Sequence, residues 1–268
     1  NDWAFRGDSY VIPNGYSELT NALASNLDIQ LQTPVTSIEI NQRGIVVVQS
    51  DTGEYFTGKK AIITVSLGVL QSNMISFRPP LPSYKQNAIS RMRMGTLEKI
   101  VLIFEENFWL DAGVLYLNET NTKIPAFFDF THIYKKPTLI GWHGGLSSVK
   151  NLEEMTNEEI IDLCLEELSI VHKNKVPKPV STFVSRWEND PFVRGAYVYP
   201  AVGSSPLDFF KLRKTIDEKL YFAGEATQHQ CYGQTHCAMI AGIREAAKIE
   251  GNMIADWNTF GTASNEKK

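Results

Sequence analysis

The chain has 268 residues, 43% of them hydrophobic and 21% charged, so it is long enough for one large domain or two ordinary ones. Its net charge of −4 and the lack of a long basic run argue against a nucleic-acid-binding surface. No apolar run reaches the roughly 18 residues of a membrane-spanning helix. Composition therefore predicts a globular protein that uses neither nucleic acid nor a membrane as its partner.

The spacing of the cysteines and of two nearby histidines favours neither a disulfide framework nor a metal site. Cys164, Cys231 and Cys237 are too few and too unevenly spaced for a disulfide framework, which favours an intracellular, reducing compartment. His229 and His236 lie close to two of these cysteines, but their spacing matches no standard zinc pattern. We therefore expect neither a disulfide framework nor a metal site.

The first part of the chain predicts one helix followed by short strands. Apolar residues fall at helical spacing over residues 18–27, with Ser17 as the expected N-cap. The continuous apolar run 61–65 predicts a strand buried on both faces. Strands are also expected at 29–31, 35–40, 44–49 and 55–57.

The middle of the chain predicts a second group of strands and two helices. Residues 78–82 are rich in proline and are expected to mark a crossing between domains. A helix is expected at 83–92, and an amphipathic helix at 156–171 begins with a capping box of Thr156 and Glu159. Strands are expected at 99–104, 126–130, 138–142 and 181–187.

The last fifth of the chain combines a strand, an acidic turn and a helix rich in small residues. The strand begins at Leu220, the turn holds Gly224 and Glu225, and the helix follows Gly233. A helix N-terminus carries a partial positive charge and free N–H groups, which suits an anionic group. Dinucleotide-binding sites usually also contain a G-x-G-x-x-G turn. This chain lacks one, since none of its 18 glycines has another glycine two residues away.

Four further stretches precede this C-terminal pattern. Together the five occur in the same order as the motifs of one known family. The pattern over residues 8–250 resembles the flavin amine oxidases, which include polyamine oxidases and lysine-specific histone demethylases. The stretches are 14–35, 64–70, 94–109 and 184–199.

The resemblance implies an α/β fold in two lobes. Residues 1–71 and 206–255 would form an incomplete, discontinuous FAD-binding lobe with a Rossmann-like sheet. Residues 72–205 would form a substrate-binding lobe of mixed sheet and helices, of the α+β type. Residues 256–268 are expected to be a tail.

The resemblance also implies an FAD-dependent oxidation of an amine C–N bond. Hydride would pass from the carbon beside a neutral amine to flavin N5, the imine would hydrolyse, and O₂ would reoxidise the flavin to give H₂O₂. A polyamine is the first substrate class and a methylated lysine side chain the second. Some relatives hold flavin through a cysteine in this region, but the offset of Cys231 does not match, so we expect non-covalent FAD.

Four residues are expected to contact the substrate or the reacting part of the flavin. By resemblance, Lys99 holds a water against flavin N5, whereas without it an edge lysine that reaches solvent is the favoured interpretation. Trp187 would pack near the flavin and Tyr197 would form one wall of an aromatic cage, although aromatic residues on strands more often lie in a core. Gln234 would form the opposite wall and help to set which amine fits.

The remaining candidates are expected to bind the cofactor. By resemblance, the Val35 backbone pairs with the adenine, although a valine on a core strand is an equally good interpretation. Gly224 would let the backbone approach the pyrophosphate, and Glu225 would hydrogen-bond to cofactor hydroxyls, the alternative being a surface turn acid. The Thr235 amide would contact flavin O2, with Gln234 beside it.

The missing glycine-rich turn leaves an alternative of a different class. Without it, the polypeptide is expected to bind FAD weakly or not at all on its own. The chain would then be a non-catalytic fragment, or one subunit of a split oxidase whose N-terminal half is supplied by a partner.

Overall fold

The computed structural model of the chain describes residues 10–109, 113–117, 122–145, 152, 154–172 and 176–251. The backbone divides into two compact units, the first formed by Asn1–Met94 with Tyr197–Lys268 and the second by Gly95–Ala196. Which unit binds which ligand stays a prediction. The expected tail at 256–268 lies outside the described residues.

The first unit contains a four-stranded sheet in the order β3-β2-β1-β5. Its central strand β1 pairs antiparallel with β2 and parallel with β5, and β2 pairs antiparallel with β3. The strands are β1 (Val35–Ile40), β2 (Val46–Ser50), β3 (Tyr55–Gly58) and β5 (Ser76–Arg78). The irregular segment at 29–31 forms no strand, which corrects the prediction there.

Two shorter sheets complete the strands of this unit. Strand β4 (Ala61–Ile63) pairs in parallel with β13 (Leu220–Phe222), and β6 (Met92–Gly95) pairs with β12 (Tyr197–Pro200). Strand β13 is fully buried, but in β4 Ile63 is buried while Ile62 is 40% exposed. The expectation that the 61–65 strand is buried on both faces is therefore wrong, because only one face of β4 packs on the core.

The helices of the first unit are α1 (Ser17–Ala24), α2 (Leu67–Gln71), α3 (Ser83–Arg91), α6 (Pro206–Arg213) and α7 (Thr235–Glu250). Helix α1 begins one residue earlier than expected and ends three residues earlier. Tyr16, not Ser17, occupies the N-cap position, and it makes no side-chain cap hydrogen bond. None of the residues of α1 is buried, so its apolar side chains face outward.

A buried lysine joins α3 to the end of α6. Lys85 has no exposed surface, and its ammonium donates hydrogen bonds to the carbonyls of Lys211, Leu212 and Lys214. The Phe222 ring lies 3.7 Å from Nζ. Carbonyls at a helix C-terminus lack partners within the helix, so Lys85 satisfies groups that burial would otherwise leave unpaired.

The second unit is built on a five-stranded antiparallel sheet in the order β11-β7-β10-β9-β8. Side chains from β7, β9 and β10 form its core together with one face of helix α5. The elements are β7 (Leu97–Ile103), β8 (Val114–Tyr116), β9 (Ala126–Asp129), α4 (Thr131–Tyr134), β10 (Thr138–Gly144), α5 (Asn157–His172) and β11 (Ser181–Val184).

The capping box at the start of α5 is confirmed. The Glu159 amide donates to Thr156 Oγ1 at 3.2 Å, and the Thr156 amide donates to the Glu159 carboxylate at 2.7 Å. Ile160, Cys164 and Leu168 are fully buried on the predicted face. No helix within the described ranges has both the length and the apolar character that crossing a bilayer requires.

Burial of Lys85 predicts a specific dependence of stability on pH. Burial lowers the pKa of Lys85 from 10.5 to about 7, against an opposing effect of Glu245. Between these values the unfolded chain holds a proton that the folded chain has released, so this group makes folding more favourable as pH rises. In Lys85→Met that contribution, at most about 1.4 kcal/mol per pH unit, is absent.

The measurement is urea unfolding at pH 7.5 and pH 9.5. At pH 9.5 we expect Lys85→Met to be less stable than the wild type by about 1–3 kcal/mol, because the carbonyls lose their donor. The difference should shrink at pH 7.5. The exposed Lys59 provides the control, since Lys59→Met should follow the wild type at both pH values. A pH-independent difference for Lys85→Met would contradict the assignment.

Candidate functional site

The turn that follows β13 carries an acid that is engaged with the backbone. Gly224, with φ of +117°, precedes a short 3₁₀ helix, Glu225–Thr227. Glu225 Oε1 accepts a hydrogen bond from the Val198 amide at 3.2 Å, and Oε2 accepts one from the Gly233 amide at 2.7 Å. The carboxylate therefore ties β12 to the loop before α7.

The surroundings of Glu225 shift its acidity in opposing directions. Burial raises its pKa above the ordinary value, and the hydrogen bonds from Gly233 and Val198 partly offset that rise. The described partners of this carboxylate are backbone amides, so it positions the loop in addition to any contact with a cofactor. A carboxylate has lone pairs beyond these two, and the cofactor contact stays a prediction.

The loop before α7 packs directly on Tyr197. Gly233 has φ of +74°, and a Cβ added there would lie 3.2 Å from Cδ2 of the Tyr197 ring. Tyr197 is 40% exposed, so its side chain contacts the loop and also retains exposed surface. The sequence placed Tyr197 and Gln234 on opposite walls of one cage, and the structure brings β12 and this loop together.

The N-terminus of α7 is suited to an anionic or electron-rich group. Gln234 occupies the N-cap position without a side-chain cap hydrogen bond, and the first turn holds no acid. Thr235 is exposed, and its hydroxyl lies 3.3 Å from the Tyr16 hydroxyl. A sixteen-residue helix carries a partial positive charge at this end. The residues present therefore fit the electron-rich ring of a flavin.

Sequence reasoning missed a buried arginine that holds the acidic turn in place. Arg244, on α7, donates to Gln228 Oε1 at 2.7 Å, to the Phe222 carbonyl at 3.1 Å and to Thr227 Oγ1 at 3.0 Å. It also pairs with the fully buried Glu245 at 2.5 Å. The planar guanidinium thus joins the helix to the turn, through Thr227 and Gln228, and to the end of β13, through Phe222. Its helical position resembled that of any surface arginine.

Val35 lies at the start of β1, where it is paired with Ser50. The side chain is partly buried and packs against the core of the four-stranded sheet. These contacts match the core-valine interpretation, and its contact with adenine stays a prediction.

In the second unit, Lys99 lies on the exposed side of β7. Its ammonium lies 5.7 Å from the centre of the Trp142 ring, which is itself 37% exposed and belongs to the neighbouring strand β10. The side chain is exposed because strand alternation turns it away from the core, which matches the interpretation of a lysine that reaches solvent, and its water-holding role stays a prediction. Trp142 was not among the sequence candidates.

The residue before Lys99 is a buried acid that connects the strand to the Trp187 segment. Glu98 is 2% exposed, and its carboxylate accepts hydrogen bonds from the Ser185 hydroxyl and, at 2.8 Å, from the Trp187 amide. Ser185 Oγ in turn accepts a hydrogen bond from the Lys99 amide at 2.8 Å. Trp187 is 41% exposed. Glu98 therefore holds together two candidate residues, and only the fold reveals that role.

The candidate residues fall into two groups, one in each unit. Lys99 and Trp187 lie in the second unit. The first unit contains the others, namely Val35, Tyr197, Gly224, Glu225, Gln234 and Thr235. Apart from Val35, those of the first unit are close together around the Glu225 carboxylate and the start of α7.

The cysteines depart from the sequence expectation. Cys231 and Cys237 form a disulfide, with their Cα atoms 5.9 Å apart. The loop between them folds back on itself, which the six-residue spacing did not indicate. The His236 ring and both sulfurs also place their ligand atoms within 4.8 Å of one another. Cys164 is a buried free thiol.

A separate cleft of about 640 Å³ lies in the first unit. Its lining includes Gln71, Phe77, Gln86 and Arg93, but none of the candidate residues. The candidate residues therefore lie outside this cleft.

The family of the chain follows from a comparison with known proteins. A model of the family described as flavin containing amine oxidoreductase matches residues 3–250. The chain belongs to this family. Its α/β fold is confirmed by a wild-type putrescine oxidase solved with putrescine, which is similar at a TM-score of 0.75 and 22% identity over 87% of this chain.

Two kinds of known protein are similar to this chain in sequence, namely lysine-specific histone demethylases and polyamine oxidases. "Possible lysine-specific histone demethylase 1" of Drosophila melanogaster is 33% identical over 92% of this chain, and polyamine oxidase 2 of Arabidopsis thaliana is 33% identical over 90%. The chain covers 31% of the first protein, 48% of the second and 52% of the putrescine oxidase chain. It thus spans between about a third and a half of these relatives.

The contact between Gly233 and Tyr197 predicts a difference between two glycine substitutions. In Gly233→Ala, the left-handed backbone is expected to destabilise the fold by about 1–2 kcal/mol, and the Tyr197 ring must also shift by a few tenths of an ångström. Gly53 has a similar φ of +85° with nothing within 4 Å of an added Cβ, so Gly53→Ala carries the backbone strain alone.

Urea unfolding of both variants measures the difference. We expect the larger loss of unfolding free energy in Gly233→Ala. Equal losses in the two variants would show that Tyr197 is not held by this glycine.

Proposed function

We propose that this chain contributes to an FAD-dependent amine oxidase that acts on a polyamine or a similar primary or secondary amine. The observation that carries the proposal is the arrangement around the start of α7. There, the exposed Tyr197 and Thr235 and the partly buried Gln234 lie around a helix N-terminus that has neither a side-chain cap nor an acid in its first turn. Membership of the flavin amine oxidoreductase family supplies the chemistry that such a site would serve.

Bound FAD would supply the two-electron acceptor for the amine, with O₂ as the final acceptor and H₂O₂ as a product. The positive end of α7 and the open backbone at Gly224 would bind it from one side. The contacts of the cysteines support non-covalent binding, because Cys231 is bonded to Cys237 and Cys164 is buried in the second unit.

The protein side chains would then orient the amine and exclude water. Tyr197 and Trp187 each expose about two-fifths of their surface, so each has an open ring face for a neutral amine. Gln234, at the N-cap of α7, would limit which substituents fit beside Tyr197. Lys99, whose ammonium lies over the Trp142 ring, would hold a water beside flavin N5, the atom that accepts the hydride.

A second candidate substrate is a methylated lysine side chain. The similarity to proteins named as lysine-specific histone demethylases, at 31–34% identity over 91–92% of this chain, favours it. The residues described around α7 do not separate the two substrates. The test must therefore present both.

The experiment is an FAD titration of the purified chain followed by an assay of peroxide. Because the relatives are two to three times as long, we expect little flavin absorbance with the chain alone and stoichiometric absorbance once a polypeptide carrying the glycine-rich turn is added. Stoichiometric binding by the chain alone would refute the split-site alternative. A flavin-loaded protein that releases peroxide with neither putrescine nor a dimethyl-lysine peptide would refute the proposed oxidation.

The role of Lys99 has its own test in the flavin-loaded protein. Lys99→Met should slow flavin reduction by the amine, or reoxidation by O₂, by roughly 100-fold or more, because the group that orients water is lost. Stopped-flow absorbance measures both rates. The exposed Lys136 gives the matched variant, and Lys136→Met should leave both rates unchanged. Unaltered rates in Lys99→Met would remove this residue from the site.

A further inference from the structure

Two cysteines enclose the loop on which the proposed site depends. The bond between Cys231 and Cys237 closes a ring around residues 232–236, which include Gly233, Gln234 and Thr235. Both cysteines are buried, at 7% and 0% exposure. Closing a ring restricts the conformations of the loop inside it, so the state of this bond controls how well the loop is ordered.

We propose that Cys231 and Cys237 are a reversible oxidative modification site, which H₂O₂ converts from a dithiol to the disulfide that orders the 232–236 loop. The pairing itself rests on the geometry. Only the source of the oxidant rests on the proposed function, since an amine oxidase releases H₂O₂ close to this loop.

The reaction balances with one peroxide and the two thiols. The thiolate of one cysteine attacks a peroxide oxygen, the O–O bond breaks, and a sulfenic acid forms while hydroxide leaves and is protonated to water. The second thiol then attacks the sulfenic sulfur, the S–S bond forms, and a second water leaves. Two thiols thus lose two electrons and two protons to one H₂O₂.

The groups around the pair suit this chemistry. The ligand nitrogen of His236 lies within 4.8 Å of both sulfurs and can accept a thiol proton. Cys237 lies in the first turn of α7, where the helix N-terminus stabilises a thiolate. Cys231 retains some exposure and is the sulfur that peroxide reaches. Cys164 lies buried in the second unit, where burial raises its pKa, so it should not react.

The ordering of the loop has a direct link to the site. With the bond closed, the Gly233 amide donates to Glu225 and Gly233 packs on the Tyr197 ring. With the bond open, the ring closure that restricts this segment is lost. Reduction should therefore loosen Gln234 and Thr235 before it affects the core of the unit.

The first measurement is the intact mass and the thiol count of the full chain, without flavin. The reduced chain should take up three alkyl groups when denatured, and after brief H₂O₂ treatment it should take up one, on Cys164. The mass should fall by about 2 Da for the two hydrogens lost. Two alkylated thiols after peroxide, a sulfinic acid in place of the disulfide, or a bond between two chains would overturn the proposal.

The second measurement is hydrogen exchange of the 228–237 segment. We expect its amides, including that of Gly233, to exchange about tenfold faster or more in the reduced chain than in the oxidised one. Cys237→Ser should exchange like the reduced chain under both conditions, while Cys164→Ser should switch like the wild type. Equal exchange in the reduced and oxidised wild type would overturn the proposal without relying on any variant.

Zinc provides the competing outcome. If the reduced chain binds one zinc, loses it in Cys231→Ser and His236→Ala, and forms no disulfide with peroxide, the cluster is a metal site and the proposal fails. All of these measurements use added peroxide or zinc and no flavin. Failure of flavin to bind even after the polypeptide with the glycine-rich turn is added would therefore count against the proposed function and leave this result intact.

Discussion

The carboxylate of Glu225 brings together three stretches of chain, namely its own turn, a strand 27 residues earlier and a loop eight residues later. It belongs to the turn after β13, and it accepts one amide from β12 and one from the loop before α7. Burying a carboxylate is unfavourable unless its oxygens are hydrogen-bonded, so the turn, the strand and the loop must be in register for the acid to be accommodated. The position of Tyr197 and the direction of the α7 N-terminus both depend on this register.

In both units, polar groups that hydrogen-bond to the protein itself lie beside exposed side chains that are proposed to contact a ligand. The buried Glu98 and Arg244 and the partly buried Glu225 make their described hydrogen bonds to backbone and side-chain groups of the protein itself. The side chains proposed to meet a ligand, including Lys99 and Tyr197, are exposed and lie directly beside them. Rigid buried groups of this kind limit the conformations available to an exposed neighbour, which favours binding by reducing the ordering that a ligand must impose.

Local patterns predicted much of the fold, because they report on contacts between neighbours in sequence. The capping box of Thr156 and Glu159 and the bounds of β1 are of this kind. The family pattern supplied the candidate site residues, whose contacts with a cofactor or substrate stay predictions. Neither source predicted the bond between Cys231 and Cys237 or the role of Glu98, because both depend on how a loop or a neighbouring strand folds back. The partners of Glu98 lie 87 and 89 residues further along the chain.

The hydrogen bond between Glu98 and Ser185 also constrains how this protein can diverge. An apolar residue at position 98 would leave the Ser185 hydroxyl without its acceptor in a buried setting, and loss of the hydroxyl would remove a donor to the carboxylate and an acceptor for the Lys99 amide. Substitution at either position alone is unfavourable, and a joint replacement must still supply acceptors for the Lys99 and Trp187 amides, which an apolar pair would not. The two positions should therefore be inherited as a pair, and descendants that change one should change the other.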